Sequence, residues 1–484
     1  MPVNNDTIKI IIVGAGKAGE LIAEDIRERQ DANFEIVGFV DDNPSKQGKT
    51  VGGAPVLGTG ADLPALAKEH EVEEIFIAIP SERGKAVRDI IERTAGMKLT
   101  YKILPRRSEV LMQEFTEDYL HYIRKVRVED MLGGEILKSD QQEITDFARP
   151  QTILITGAAG SIGSELSRQI AAHKPKRVVF YDWWENGMFA LRNELVEAYP
   201  KGNFEFIIGD IKDHLKIDQV MKTFKPDTVF HAAAYKHVPL MEYNGAEAIK
   251  NNIIGTKTVA EASIKHGAKK FIMVSTDKAV NPTNIMGASK RAAEMVIHTL
   301  AESQTGTALC SVRFGNVINS NGSAIPIFEK QIDQGGPVTV THKDMTRFFM
   351  TIPEAVHLIL QAWVMGESND LFVLDMGESI RIYDLAKLLI TLQGYVPEKE
   401  IKIKIVGTRP GEKLYEEVLL KQEETKATAV KKIFRTQNFM DFDKLSFLNH
   451  LSLLVETVED DGLNVPAIRE RLQQMVATYK PAKH

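Results

Sequence analysis

Apolar residues along the chain come in short β-branched runs, each followed by a turn signal and then by an amphipathic helical pattern. The stretch IKIIIVGAGKAGELIAEDI at residues 8–26 and the stretch QTILITGAAGSIGSELSRQI at residues 151–170 share this arrangement in full. Each reads as strand, glycine-rich turn and helix, the opening of a Rossmann βαβ unit. The chain therefore begins that fold twice. After the first opening, FEIVGFVDD (34–42) predicts a second strand ending in two acids, EEIFIAIP (73–80) predicts a later one, and the alternation lasts to about Leu104. This places a Rossmann-like, nucleotide-binding type of domain at residues 1–124. The charged stretch IRKVRVEDMLGGEILKSD has weak periodicity, so residues 125–150 read as a connector. Beyond it RVVFYD, NFEFIIGD, DTVFHAAA, KKFIMVSTD and ALCSVRFGN are all strand-like, with helical patterns between them. After Asn316 the rhythm breaks, with turn punctuation at Gly335–Pro337 and Arg409–Gly411. That shift predicts a smaller substrate-binding lobe, about 317–345 and 375–420, within a catalytic domain over 151–420. Residues 421–484 read as a charged helical segment. The fold class expected is α/β, with two Rossmann-like doubly wound parallel sheets.

Composition narrows the function classes. The 484 residues suit two or three domains at roughly 150 residues each. With 60 Lys and Arg against 66 Asp and Glu, the net charge of -6 supplies no global positive field for nucleic acid or anionic membrane. Cys310, the single cysteine, excludes an intramolecular disulfide, and no stretch approaches the roughly 20 apolar residues of a spanning helix. The polar start MPVNNDTIK does not read as a secretory signal. The expectation is a soluble, cytoplasmic protein with no metal.

The two glycine clusters differ in spacing. Gly14, Gly16 and Gly19 follow G-x-G-x-x-G, whereas Gly157, Gly160 and Gly163 follow G-x-x-G-x-x-G behind Thr156. Either lets backbone approach a pyrophosphate at a helix amino terminus, where unpaired N–H groups and the helix dipole favour anions. Ser161 and Ile162 stand in the second cluster. Asp182 closes RVVFYD 25 positions after Gly157, where a carboxylate accepts from an adenosine ribose and repels a 2′-phosphate, so the expected cofactor is NAD. A helix N-cap would favour the same residue. Asp210 and Ile211 end the third strand near the place of an adenine, and the small residues Ala232, Ala233 and Ala234 end the fourth, where a cofactor can lie against backbone. For Gly14, Gly16, Gly19 and Asp41 two options stay open: a second nucleotide site, or a vestigial or regulatory fold.

TGAAGSIG, HAAAYKHVP, STDKAVNPTNIMGASKR, VRFGN and GTRPGEKLYEE, in this order, make the chain resemble the extended short-chain dehydrogenase/reductase superfamily. Within it they are similar to the bacterial UDP-N-acetylglucosamine 4,6-dehydratases of polysaccharide and glycan biosynthesis, over about Ile123 to Leu420. The first domain looks like the extra Rossmann domain of the larger members. The resemblance implies a lyase reaction in which NAD oxidises carbon 4, water leaves across carbons 5 and 6, and the hydride returns to carbon 6. It also implies a homodimer or larger homo-oligomer.

The superfamily's Tyr-x-x-x-Lys is altered here: the lysine is Lys290, but the tyrosine position is Met286. A thioether cannot exchange the proton. The larger members of the resembled family also carry methionine there, so Met286 reads as a subtype marker, leaning toward retention at carbon 5. By resemblance Asp277 is the acid for the leaving hydroxyl, Lys278 the base at carbon 5, and Thr276 a relay for the first proton. The family motif has an acid where Lys278 stands. A base lysine needs a depressed pKa, from burial or from a cation such as Lys290, and an Asp277–Lys278 salt bridge would act in the opposite sense. A structural ion pair is the bland alternative. For the substrate, Lys236 and His237 border the implied cleft and Asn316 faces the sugar phosphate. Ser323, Ile325, Pro326 and Thr341 fall where uridine is held, Arg347 and Arg409 offer guanidinium forks to the diphosphate, and Glu412 meets a ribose hydroxyl. Asn252 reads instead as a structural tie. Two other functions stand beside this one: a UDP-sugar 4-epimerase, which would be expected to keep the tyrosine, and an inactive nucleotide-sensing protein. The larger resembled enzymes carry membrane helices ahead of the first domain, so the chain reads either as a naturally soluble member or as the soluble part of an anchored parent.

Overall fold

A computed structural model describes residues 7–29, 33–80, 84–105, 119–132, 141–420, 423–436 and 442–482. The stretch 133–140 of the expected connector lies outside them. The chain divides into two units, one drawn from residues 1–135, 322–344 and 380–406, the other from 136–321, 345–379 and 407–484. The expected lobe is therefore shared out, its segments 322–344 and 380–406 falling in the unit that holds the amino terminus.

In the first unit a seven-stranded sheet runs Thr50–Val51, Ala54–Gly58, Phe34–Val40, Ile8–Val13, Glu74–Ile77, Thr100–Ile103, Arg124–Lys125. Its five central strands are parallel and both edge strands antiparallel. Ile10, Ile12, Phe39 and Phe76 are buried against Ile22 and Ala23 of the helix Lys17–Glu28, as the apolar face of that helix predicts. Strands Val338–Val340 and Ile403–Ile405 pair in parallel in the same unit.

The second unit is built on a nine-stranded sheet in the order Phe204–Ile208, Arg177–Asp182, Thr152–Thr156, Thr228–His231, Lys270–Val274, Ala308–Arg313, Leu371–Leu374, Ile433–Thr436, Thr425–Ala427. The first seven are parallel; Ile433–Thr436 runs antiparallel to Leu371–Leu374, and Thr425–Ala427 pairs antiparallel with Ile433–Thr436 in turn. Chain order reverses between Thr152–Thr156 and Thr228–His231, and the crevice outside the carboxyl ends of strands at such a switch point is where doubly wound sheets take ligands. The helix Ile285–Ser303 is buried along most of its length, its Met286 packed with Leu451 and Leu454 of the helix Lys444–Asp460 and Leu472 of the helix Val465–Met475. The carboxy-terminal segment thus works as core. No helix among the described residues is long and apolar enough to cross a membrane.

Candidate active site

Both glycine clusters are cradles that side chains would fill. Gly157 has φ +71°, and a Cβ there would lie 2.5 Å from the Ala233 backbone nitrogen; a Cβ at Gly163 would lie 1.9 Å from the Gly157 carbonyl oxygen. The helix Ser161–Ala172 starts behind Gly160 with no side chain capping it, so its first N–H groups stay open to an anion. Asp182 is buried; its Oδ2 accepts from the Ala159 N–H at 2.9 Å and its Oδ1 from the Trp184 N–H at 2.9 Å. It braces the glycine turn and is not the cap of the next helix, whose N-cap is Trp184. These features fit a dinucleotide. Ile211 is buried under Gly255, and Asp210 is engaged with Lys212 through the backbone N–H at 2.9 Å and an ion pair at 3.3 Å.

The first unit repeats the device with one change. Gly14 has φ +103°, a Cβ at Gly19 would sit 2.1 Å from the Gly14 oxygen, and Asp41 Oδ2 accepts from the Ala15 N–H at 2.8 Å. Lys46 Nζ also donates to that oxygen, at 2.7 Å. Burial alone would raise the Asp41 carboxyl, but Lys46 and two backbone N–H groups outweigh it and hold the group below the usual carboxylate range.

At the carboxyl end of Lys270–Val274, a short helical turn presents Thr276, Asp277 and Lys278. Thr276 Oγ1 donates to Asp277 Oδ1 at 2.9 Å, Lys278 Nζ donates to the same oxygen at 3.0 Å, and Lys278 Nζ also donates to Asn316 Oδ1 at 2.8 Å. Asp277 Oδ2 is buried without a hydrogen-bond partner among the described residues. The salt bridge the sequence left open is formed, with a consequence opposite to a depressed lysine. Burial acts to lower Lys278, but Asp277, joined by Glu416 when that carboxyl is ionised, outweighs it and holds the ammonium above the ordinary lysine range. Lys290 Nζ donates to the Val274 carbonyl at 2.8 Å, and burial brings its ammonium down to about 8. Lys236 is lowered by burial and by Lys278, and His237 by burial and by Lys236, so both feel the positive charge of the cleft. His231 is fully buried between Thr156 Oγ1 at 2.8 Å and Thr256 Oγ1 at 2.9 Å, and burial pushes its imidazole down to about 3. It is a neutral prop beneath Ala232–Ala234. Asn252 sits in the π-helix Ile249–Gly255, accepting from the Tyr235 N–H and donating to the Tyr235 carbonyl and Ser289 Oγ, which ties a loop to a helix.

Several expected substrate contacts occupy different positions. Arg347 is buried, and its guanidinium is spent on carbonyls: Nη1 donates to Thr346 at 2.7 Å and Leu414 at 3.2 Å, Nη2 to Lys413 at 2.8 Å. It braces a loop where the sequence suggested an open fork. Glu412 Oε2 accepts from the Arg409 N–H at 3.1 Å, closing a turn, while Arg409 itself is exposed. Asn316 reaches Lys278. In the first unit, Ser323 precedes the helix Ala324–Asp333 with its Oγ buried and without a hydrogen-bond partner among the described residues; Ile325 is core, Pro326 exposed and Thr341 buried.

Two groups escaped the sequence reading. Glu416 has a side chain only 5% exposed, with Oε1 4.0 Å from Lys278 Nζ and 3.8 Å from Arg347 Nε. Beneath the site, Glu294 takes Arg313 Nε at 2.7 Å, Arg313 Nη2 at 2.6 Å, Arg291 Nη1 at 2.9 Å and Ser275 Oγ at 2.6 Å, and Arg313 Nη1 reaches Glu423 at 2.8 Å. The side chains of Arg291, Glu294, Arg313 and Glu423 are fully buried. Burial alone would raise Glu294, but Arg313 and Arg291 outweigh it and hold its carboxyl at about 2.

Residues 153–438 match the family described as polysaccharide biosynthesis protein. The chain belongs to that family. Residues 3–103 match the CoA-binding domain. Among relatives, the capsular polysaccharide biosynthesis protein CapD of Staphylococcus aureus is 46% identical over 431 residues, 88% of this chain and 71% of the relative. The probable polysaccharide biosynthesis protein EpsC of Bacillus subtilis is 44% identical over 416 residues, 86% of this chain and 69% of the relative. A UDP-glucose 4-epimerase of Rickettsia canadensis is 38% identical over 284 residues, 57% of this chain and 80% of the relative. The solved structure of Pen from Bacillus thuringiensis superposes with a TM-score of 0.55 at 34% identity, covering 62% of this chain and 90% of that one.

Proposed function

We propose that this member of the polysaccharide biosynthesis family is an NAD-dependent hydro-lyase. It converts UDP-N-acetylglucosamine to UDP-2-acetamido-2,6-dideoxy-hexos-4-ulose, with retention at carbon 5. The observation that carries this reading is the Asp277–Lys278 pair, in hydrogen-bond contact at 3.0 Å at the end of a sheet strand, with Met286 packed into apolar core where the superfamily has tyrosine.

Gly157, Gly160, Gly163 and the helix start at Ser161 would hold the pyrophosphate of NAD, and Asp182 the adenosine ribose. When bound, NAD supplies a reversible hydride acceptor. Thr276 relays the proton of the carbon 4 hydroxyl: its Oγ1 accepts that proton as its own passes through water to solvent, so the proton count of the Asp277–Lys278 pair is unchanged. The next need is an acid for the departing carbon 6 hydroxyl and a base for the hydrogen on carbon 5. An aspartate–ammonium ion pair and a carboxylic acid–amine pair hold the same number of protons and differ by one transfer along the Nζ–Oδ1 bond. Asp277 is already fully buried and the Lys278 side chain is 18% exposed; a sugar that fills the cleft removes the water left on the ammonium, and lost solvation disfavours the charged form. In the neutral form Lys278 has a lone pair for the carbon 5 proton and Asp277 a proton to give. The raised lysine of the ligand-free state is thus compatible with a base in the loaded one.

Incubating the protein with UDP-N-acetylglucosamine should give a product lighter by one water, followed by mass spectrometry, and proton NMR of the product reads carbon 5. The named Rickettsia relative favours a second reading, 4-epimerisation. That reaction leaves the mass unchanged, and a sensing protein leaves the sugar untouched, so either result overturns the proposal. Because a Cβ at 163 collides with the Gly157 oxygen, Gly163→Ala should weaken NAD binding by roughly tenfold or more, measured by calorimetry. Unchanged affinity would remove this turn from the cofactor site.

A further inference from the structure

Glu416 stands in a setting unsuited to a carboxylate. Oε2 is buried with no hydrogen-bond partner among the described residues, and Oε1 has cations at 3.8 Å and 4.0 Å, beyond hydrogen-bond reach. Both Nη atoms of Arg347 are occupied by carbonyls, so the nearest guanidinium offers no fork. A buried carboxyl without donors keeps its proton more tightly than one in water. The groups facing it are Asp277 and Lys278 from the strand-end turn, Arg347 from the strand Thr346–Met350 and Lys413 from its own segment; Glu412 lies against Arg347 and Glu417 against Lys413. Burial, then Asp277, raise Glu416, and these outweigh Lys278, Arg347 and Lys413, which act to lower it.

We propose that Glu416 is a positioning residue for Lys278: whether its carboxyl carries a proton sets whether the Asp277–Lys278 pair can pass its own proton from nitrogen to oxygen. This rests on the dehydratase reading above. With Glu416 protonated, Lys278 has one carboxylate beside it and the neutral Asp277–Lys278 pair is one transfer away. With Glu416 ionised, a second negative charge 4.0 Å from Nζ holds the ammonium in place and the neutral pair is depopulated. The sign follows: rising pH removes the Glu416 proton and slows the elimination.

The test compares wild type, Glu416→Gln and Glu416→Ala as full chains loaded with NAD. E416Q imitates the protonated form at every pH. It should keep the wild-type rate of water loss within about threefold below the optimum, and its alkaline decline should move up by about one pH unit or more. A substrate-free readout stands beside it. A protonated-carboxyl infrared band in the wild type, lacking in both variants, should persist to pH values above the usual carboxylate range. A band unchanged in the variants, or an E416Q pH profile that superimposes on that of wild type, overturns the proposal. Should wild type fail to remove water from the sugar nucleotide, the dehydratase reading falls, and the infrared band still decides the protonation of Glu416.

Discussion

On the proposed reaction, replacing Lys278 by methionine is expected to slow the loss of water from UDP-N-acetylglucosamine by about 10²–10⁴-fold, the usual contribution of a positioned acid or base. NAD should stay bound. Methionine is close to lysine in length and fills the same partly buried space, but it has no proton to exchange and no lone pair basic enough for carbon 5. Asp277 Oδ1 would keep Thr276 and lose its ammonium, and Asn316 Oδ1 would lose the Lys278 donor it has among the described residues. The glycine cradle and Asp182 belong to other strand ends and should not respond. Lys278→Arg sharpens the result: a guanidinium keeps the positive charge yet does not release its proton. If Lys278 served only as a cation, arginine would restore most of the rate. Single-turnover mass spectrometry with a parallel assay of bound nucleotide separates these outcomes, and a K278M rate near that of wild type would remove Lys278 from the chemistry.

The second large effect concerns stability. Arg313→Met removes one member of a fully buried ionic cluster and leaves Glu294 and Glu423 with too few donors. Breaking a buried ion pair from one side is strongly destabilising, by about 3–5 kcal/mol, because the remaining charge stays out of water. In a unit of this size the thermal transition should fall by roughly 10 °C. Lys257→Met, which breaks the exposed pair with Glu261 on a helix surface, should change stability by less than about 0.5 kcal/mol and serves as the control. A fall in R313M no larger than the control's would contradict the buried cluster. The damage should also reach the chemistry, since Glu294 holds Ser275, the residue before Thr276.

The parts of the fold that the sequence announced are those governed by local rules. Gly157 and Gly163 are forced by contacts of well under 3 Å between turn and neighbouring backbone, and such constraints leave a fixed spacing. Asp182 is tied to the same turn through Ala159, so its position follows from that of the glycines. Charged residues after Asn316 were another matter. Arg347 looked like an anion-binding fork, yet three carbonyls of its surroundings take its donors. Glu416 stands next to Glu417 in a polar run, and nothing in that run singles it out. Both environments arise from segments far apart in sequence, and periodicity carries no record of them. The one local hint was Gly411, whose φ of +76° marks a tight turn ahead of Glu416.

Asn284 fixes that turn. Its Oδ1 accepts from the Gly287 N–H at 2.7 Å, starting the helix Ile285–Ser303, while its Nδ2 donates to the Gly411 carbonyl at 3.0 Å. Helix capping by itself accepts asparagine, aspartate or serine almost equally. An aspartate here would still begin the helix but would face the Gly411 carbonyl with a second oxygen, and a serine would be too short to serve both ends. The choice among three interchangeable caps is therefore dictated from across the site. Thr283 Oγ1 donates to the same Gly411 carbonyl at 3.0 Å, so two neighbouring residues give the helix bearing Lys290 and the loop bearing Glu416 a common origin.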